Sequence, residues 1–124
     1  GVAGLVTDGG FRDSAEIAKL AIPSYHQRPS APTNLTLHQA IDVNVPIGCG
    51  DVAVFPGDVV VGDDDGVIVI PAHLADQIAE ESVNMTLYED FVTEKVLNGT
   101  PTRGLYPLTL EKYKEEFTAW KKQR

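Results

Sequence analysis

Between Ile41 and Ile70 the chain carries four short apolar runs, Ile41 to Val45, Val52 to Phe55, Val59 to Val61 and Val67 to Ile70, with only turn residues between them. Pro46, Gly48, Gly50, Pro56-Gly57 and Asp63-Asp64-Asp65-Gly66 supply the breaks. None of these gaps is long enough to hold a helix. Short strands joined by such turns pair with their sequence neighbours, and Asp-Gly between valine-rich runs is a strong hairpin signal. A doubly wound sheet needs a helix after each strand, so it does not fit this stretch.

The flanks read differently. Val2 to Thr7 is apolar without polar alternation, the pattern of a strand buried on both faces. Asp8-Gly9-Gly10 breaks it, and Asp13-Ser14-Ala15-Glu16 opens a helix with Ile17, Leu20 and Ala21 on one side, ended by Pro23. Ser24 to Gln27 is a second strand. Strand–helix–strand predicts parallel pairing with a right-handed crossover. A turn-rich loop, Arg28 to Asn34, leads into the hairpins. After them Pro71 starts a long helix striped by Leu74, Ile78, Val83, Leu87 and Phe91, and Gly99 closes it. Residues 100–124 form a helical tail with Tyr113, Phe117 and Trp120 on one face. A chain of 124 residues supports one domain, 1–124, of the α/β class.

Charge narrows the function. Ten Lys and Arg against 18 Asp and Glu give a formal net charge of −8, which disfavours nucleic-acid binding through a basic face. No apolar run is long enough to span a bilayer, so no membrane role is expected. A single cysteine, Cys49, and no visible basic and apolar leader point to a reducing, cytoplasmic setting. Cys49 has no identifiable base partner and reads as a small buried filler.

The densest polar cluster is Asp8 to Glu16, between the first strand and the first helix. Ligands bind at the carboxyl ends of strands in open α/β sheets. Arg12 can grip a carboxylate with two parallel hydrogen bonds. Asp8, Asp13 and Glu16 are hard oxygen donors that suit Mg²⁺ or Mn²⁺ rather than zinc. Asp13 and Glu16 equally form a capping arrangement, Asp13 capping the helix and Glu16 reaching back. Spacing alone leaves both readings open.

The stretch Gly4-Leu5-Val6-Thr7-Asp8-Gly9-Gly10-Phe11-Arg12-Asp13 resembles the signature of the RraA-like family. Arg12-Asp13-Ser14-Ala15-Glu16 is similar to the latter part of its aldolase pattern, and Pro56 to Pro71 resembles a second family stretch. The resemblance covers Gly1 to about Gly99. It implies a three-layer β/β/α fold of the swivelling phosphohistidine-domain type, assembled as a homotrimer or hexamer. It implies a class II 4-hydroxy-4-methyl-2-oxoglutarate/4-carboxy-4-hydroxy-2-oxoadipate aldolase, or an oxaloacetate decarboxylase, releasing pyruvate from a small 2-oxo acid. Arg12 and Asp13 would be catalytic, with Arg12 on the substrate carboxylate. Asp13 would hold the divalent metal, Mg²⁺ or Mn²⁺, with Glu16 as a further donor. Glu89, from a neighbouring subunit, would complete the outer shell. The pattern's first Gly falls before Gly1, so the stretch carries half of the family's site, with the N-terminal portion expected to lie upstream or on another chain. A second reading follows from the family's other name, regulator of ribonuclease activity: a non-catalytic protein that binds a ribonuclease through its acidic surface.

Three other features carry less. Asp63-Asp64-Asp65-Gly66 fails as a calcium loop, because Val61 and Ala72 stand where carboxylates are required. His26, His38 and His73 form no i, i+4 pair, and the uneventful reading is preferred for each, His38 included. The family's methyltransferase-like name finds no glycine-rich nucleotide loop after a strand.

Overall fold

The computed structural model describes residues 1–33 and 38–124. Asn34, the last residue of the expected loop, lies outside them. The chain divides into two units, Gly1–Ala75 and Asp76–Arg124. The class is mixed α/β, as expected.

In the first unit the strands form three two-stranded ribbons among the described residues. β1 (Leu5–Phe11) pairs in parallel with β2 (Ser24–Pro29), across the short helix α1 (Ser14–Ile17). β3 (Ile47–Cys49) and β4 (Val52–Val54) form one hairpin, β5 (Val59–Gly62) and β6 (Val67–Ile70) another. The second turn is tied by local polar groups: the Asp63 carboxylate accepts from the amides of Asp65 (2.9 Å) and Gly66 (3.2 Å).

Several expectations are corrected. β1 does not stop at Asp8-Gly9-Gly10 but runs through it. Thr7 pairs with His26 and Gly10 with Arg28, so Asp8 and Gly9 together oppose Gln27 in a bulge. The Thr7 hydroxyl accepts the Gly9 amide at 3.0 Å, satisfying a donor that the bulge takes out of the ladder. β1 is not buried on both faces: Leu5 and Val6 remain exposed. α1 ends at Ile17, and Leu20, expected on its apolar face, is exposed. Ile41 to Val45 forms no strand, and Ile41 is 94% exposed. Its backbone is exposed instead, with the Val43 amide donating to the Asp42 carboxylate at 2.8 Å.

The ribbons converge on a cavity of about 720 Å³ lined by Leu5, Tyr25, Ile47, Val52, Val60 and Val67. The Tyr25 ring lies on Gly62, where a Cβ would stand 2.6 Å from it. Asp8 holds the β3–β4 turn by accepting the Gly50 amide at 2.9 Å.

In the second unit α2 (Ala75–Leu97) follows a 3-10 turn at Ala72–Leu74, and α3 (Glu111–Lys121) occupies the expected tail. Gly99, at φ 85, ends α2 in the left-handed form, with its amide on the Val96 carbonyl. Phe91, Leu105 and Tyr113 are the buried centre, with Tyr88, Phe117 and Trp120 packed around them. The Tyr88 hydroxyl donates to the Leu105 carbonyl at 2.6 Å, and burial pushes its pKa up, helped by Tyr106 stacked beside it. Among the described residues no helix is long and apolar enough to cross a membrane.

Candidate active site at the carboxyl ends of the parallel strands

Arg12 and Asp13 occupy the corner between β1 and α1. Asp13 is the N-cap residue of α1 but sits in the left-handed region, φ 58 and ψ 32, and makes no side-chain cap hydrogen bond. A capping side chain works from an extended N-cap backbone, so the left-handed geometry defeats the capping reading. Glu16 does not reach back either; it pairs with Lys19 at 2.7 Å. The Asp13 carboxylate lies 3.5 Å from the Arg12 guanidinium, and both side chains are more than half exposed, so this pair adds little stability.

Two glycines precede the corner, and Gly10 serves packing rather than ligand approach. A Cβ there would stand 2.7 Å from Ser30 Cβ and 2.8 Å from the Arg28 carbonyl oxygen. Its absence lets the carboxyl ends of β1 and β2 close together, and the Ser30 amide then reaches the Phe11 carbonyl at 2.8 Å. The result is a cavity of about 610 Å³ lined by Gly9, Gly10, Arg12, Arg28, Ser30 and His38.

The expected site residues are therefore only partly gathered. Arg12 opens on this cavity with Asp13 beside it in the chain; Glu16 is engaged by Lys19, and Glu89 is exposed on α2 in the other unit. Asp8 is bound to the Gly50 amide and is structural. Arg28, read from sequence only as the start of a turn-rich loop, lines the cavity, and His38, given the uneventful reading, joins it. The expected parallel pairing was the available signal, since it brings the carboxyl end of the second strand, and with it Arg28, beside that of the first. His26 keeps its ring against Phe11, centroids 5.0 Å apart, with a buried Nδ1 that has no partner among the described residues.

Among the described residues no three His, Cys, Asp or Glu side chains converge on a point that could hold a metal. A single uncapped carboxylate does fit Mg²⁺, which keeps several waters and takes one or two carboxylates plus substrate oxygens. Asp13 can serve in that way; the described residues form no closed, all-protein cage.

Residues 1–69 match the RraA-like family, described as Aldolase/RraA. An uncharacterized protein of Methanocaldococcus jannaschii is 36% identical over 110 residues, 87% of this chain and 51% of that protein. A Halalkalibacterium halodurans protein with the provisional name 4-hydroxy-4-methyl-2-oxoglutarate aldolase is 35% identical over 82 residues, 66% of this chain and 39% of that protein. The chain thus spans about half or less of the length of these relatives. A crystal structure of an uncharacterized Pseudomonas syringae pv. tomato protein superposes with a TM-score of 0.79 at 24% identity, over 86% of this chain and 53% of that one, a likeness of fold. With more than half of its residues matched, the chain belongs to the RraA-like family.

Proposed function

We propose that this chain contributes the Arg12–Asp13 part of the site of a divalent-metal-dependent aldolase that cleaves a small 2-oxo acid to pyruvate, with oxaloacetate decarboxylation as a related activity. The observation that carries the reading is the left-handed Asp13, whose carboxylate is uncommitted to the helix and stands next to Arg12 at the carboxyl end of a parallel strand. Family membership and the provisional name of the Halalkalibacterium halodurans relative support it.

In this reading the C3–C4 bond of the oxo acid breaks and its electron pair passes to C3, giving the enolate of pyruvate. The proton of the C4 hydroxyl passes to solvent water, leaving the C4 carbonyl product, and C3 then takes a proton from solvent to give pyruvate. Arg12 takes the C1 carboxylate through its planar fork, neutralising it and fixing the plane of the oxo group. Asp13 would hold Mg²⁺ or Mn²⁺, which when bound supplies charge stabilisation for the developing enolate oxygen. Glu16 and Glu89 belong to the reading as peripheral donors, Glu89 from a neighbouring copy. The three-layer phosphohistidine-type arrangement and the homotrimer or hexamer are part of the same proposal. Family membership supports the first.

The test is pyruvate release from 4-hydroxy-4-methyl-2-oxoglutarate and from oxaloacetate, with Mg²⁺, with Mn²⁺ and with chelator, on the full protein containing this chain. Metal-dependent release is expected from at least one substrate; none from either would overturn the reading.

A further inference from the structure

We propose that Asp8 is a positioning residue of the Arg12 site: its bond to the Gly50 amide selects the strand register in which Arg12 is presented. The proposal rests on the aldolase reading only for the choice of a 2-oxo acid as probe.

The strand pair does not fix that register by itself. β1 and β2 run in step up to Thr7 opposite His26 and again from Gly10 opposite Arg28, with Asp8 and Gly9 sharing Gln27 between them. Without the extra residue, Gly9 would stand opposite Arg28. That place admits no side chain, since a Cβ on Gly10 would stand 2.8 Å from the Arg28 carbonyl oxygen. Gly9 meets the condition as well as Gly10 does, so sterics alone accept either alignment. The choice matters because a slip of one residue carries every later side chain to the other face of the strand. Arg12, two residues after Gly10 and part of the lining of the cavity at the strand ends, would be carried with it. Bulges beside active sites re-aim side chains in this way.

Two contacts hold the bulge. The bond from the Gly9 amide to the Thr7 hydroxyl, 3.0 Å, is local to β1. The other is not: the Asp8 carboxylate accepts the amide of Gly50, 42 residues further along the chain, at 2.9 Å. Gly50 sits at φ 58 in the turn of the β3–β4 hairpin, which has its own ladder from Ile47 opposite Val54 to Cys49 opposite Val52. The hairpin therefore supplies a reference outside the β1–β2 pair. Asp8 forms no ion pair among the described residues, so this bond is the use its carboxylate has. The bond from the Ser30 amide to the Phe11 carbonyl, 2.8 Å, belongs to the bulged alignment, in which Phe11 stands opposite Pro29, and reports on it.

The experiment combines amide hydrogen exchange with isothermal titration of pyruvate, on the full protein in Mg²⁺ buffer. Asp8→Ala should speed exchange of the Ser30 amide about tenfold or more and weaken pyruvate binding about tenfold, since small displacements of a binding group cost on this scale. Asp8→Asn keeps an acceptor oxygen and should restore both to within about threefold of the parent. Asp58→Ala is the control. Asp58 also ties down backbone in the same unit, accepting the amides of Phe55 at 2.8 Å and Ala72 at 3.1 Å, and its loss should leave Ser30 exchange and pyruvate affinity unchanged. Unchanged Ser30 exchange or unchanged affinity in Asp8→Ala would overturn the proposal. So would equal losses in Asp58→Ala, no restoration by Asn, or a parent that binds no pyruvate. Failure of the aldolase reading shows separately, as absent pyruvate release from either oxo acid while the exchange and affinity effects stand.

Discussion

Replacing Asp13 separates its backbone role from its chemical one, because the two respond to different substitutions. At φ 58 a residue with a β-carbon is strained by about 1 kcal/mol or a little more, but Asn and Asp tolerate the left-handed form and Gly is indifferent to it. The carboxylate makes no cap hydrogen bond, and its pairing with Arg12 is exposed and contributes well under about 1 kcal/mol. Asp13→Asn should therefore change stability by less than about 0.5 kcal/mol. Asp13→Ala should destabilise by about 1 kcal/mol. Asp13→Gly should fall near zero, relief of strain offsetting extra unfolded-state freedom. Unfolding entropies near 2.1 cal/mol/K per residue make 1 kcal/mol worth about 4 °C in a chain of 124 residues. In thermal melts the Asn and Gly variants should lie within about 2 °C of the parent, and Ala about 4 °C below. In metal-dependent pyruvate release all three should lose on the order of 10²-fold or more, since each removes the charge a hard cation needs. An Asn variant with unchanged turnover at saturating Mg²⁺ would refute the metal role. An Asn variant melting 4 °C or more below the parent would refute the claim that the carboxylate is structurally idle.

Three further outcomes follow from the same geometry. Arg12→Lys keeps the charge but loses the fork, so KM for the oxo acid should rise about tenfold with a smaller change in kcat, as read by steady-state kinetics. Gly10→Ala should destabilise by about 1–3 kcal/mol in denaturant unfolding, because the new methyl meets Ser30 and the Arg28 carbonyl; adding Ser30→Gly should restore part of the loss, and a neutral Gly10→Ala would show that the strand ends are not held close. Tyr88→Phe should lower stability by about 1 kcal/mol at neutral pH through loss of the bond to the Leu105 carbonyl. The raised Tyr88 pKa means that the folded state holds its proton longer than the unfolded one, so this contribution is complete below pH 10.0 and is lost as pH rises through the raised value. The stability difference between parent and Tyr88→Phe should shrink in alkaline melts, and a difference that stays constant would contradict that sign.

The parts of the fold legible in the sequence are those fixed by neighbours in the chain. The β5–β6 hairpin was readable because Asp63 and Gly66 make the turn with their own backbone and side chains. Gly99 marked the end of α2 for the same reason. The bulge at Asp8-Gly9 was not readable: it exists only relative to the register of β2. An apolar run such as Val2 to Thr7 looks the same whether one face or neither is covered, and here the ribbon leaves Leu5 and Val6 exposed. Asp13 was ambiguous because a cap and a ligand are the same side chain, and the left-handed backbone angle, invisible in the sequence, is what removes the cap. Arg28 and His38 were missed because their relation to Arg12 passes across a strand pair and through a loop, not along a local pattern.

Arg12 is the residue whose chemistry depends most on this geometry, and the backbone on both sides of it is fixed by contacts that do not involve its side chain. Upstream, Gly10 is pressed against β2 and the Phe11 carbonyl accepts the Ser30 amide at 2.8 Å. Downstream, the Asp13 carbonyl accepts the amides of Glu16 and Ile17, each at 3.0 Å. These anchors fix where the Arg12 backbone stands, while its guanidinium, more than half exposed, has the Asp13 carboxylate beside it at 3.5 Å. Fixing the attachment point of a binding group lowers part of the entropy lost on association. Such a corner requires both a residue without a side chain at position 10 and one that accepts a left-handed backbone at position 13. Glycine meets the first condition and aspartate the second, and aspartate alone among the residues that tolerate that backbone also brings a full negative charge to the mouth of the cavity.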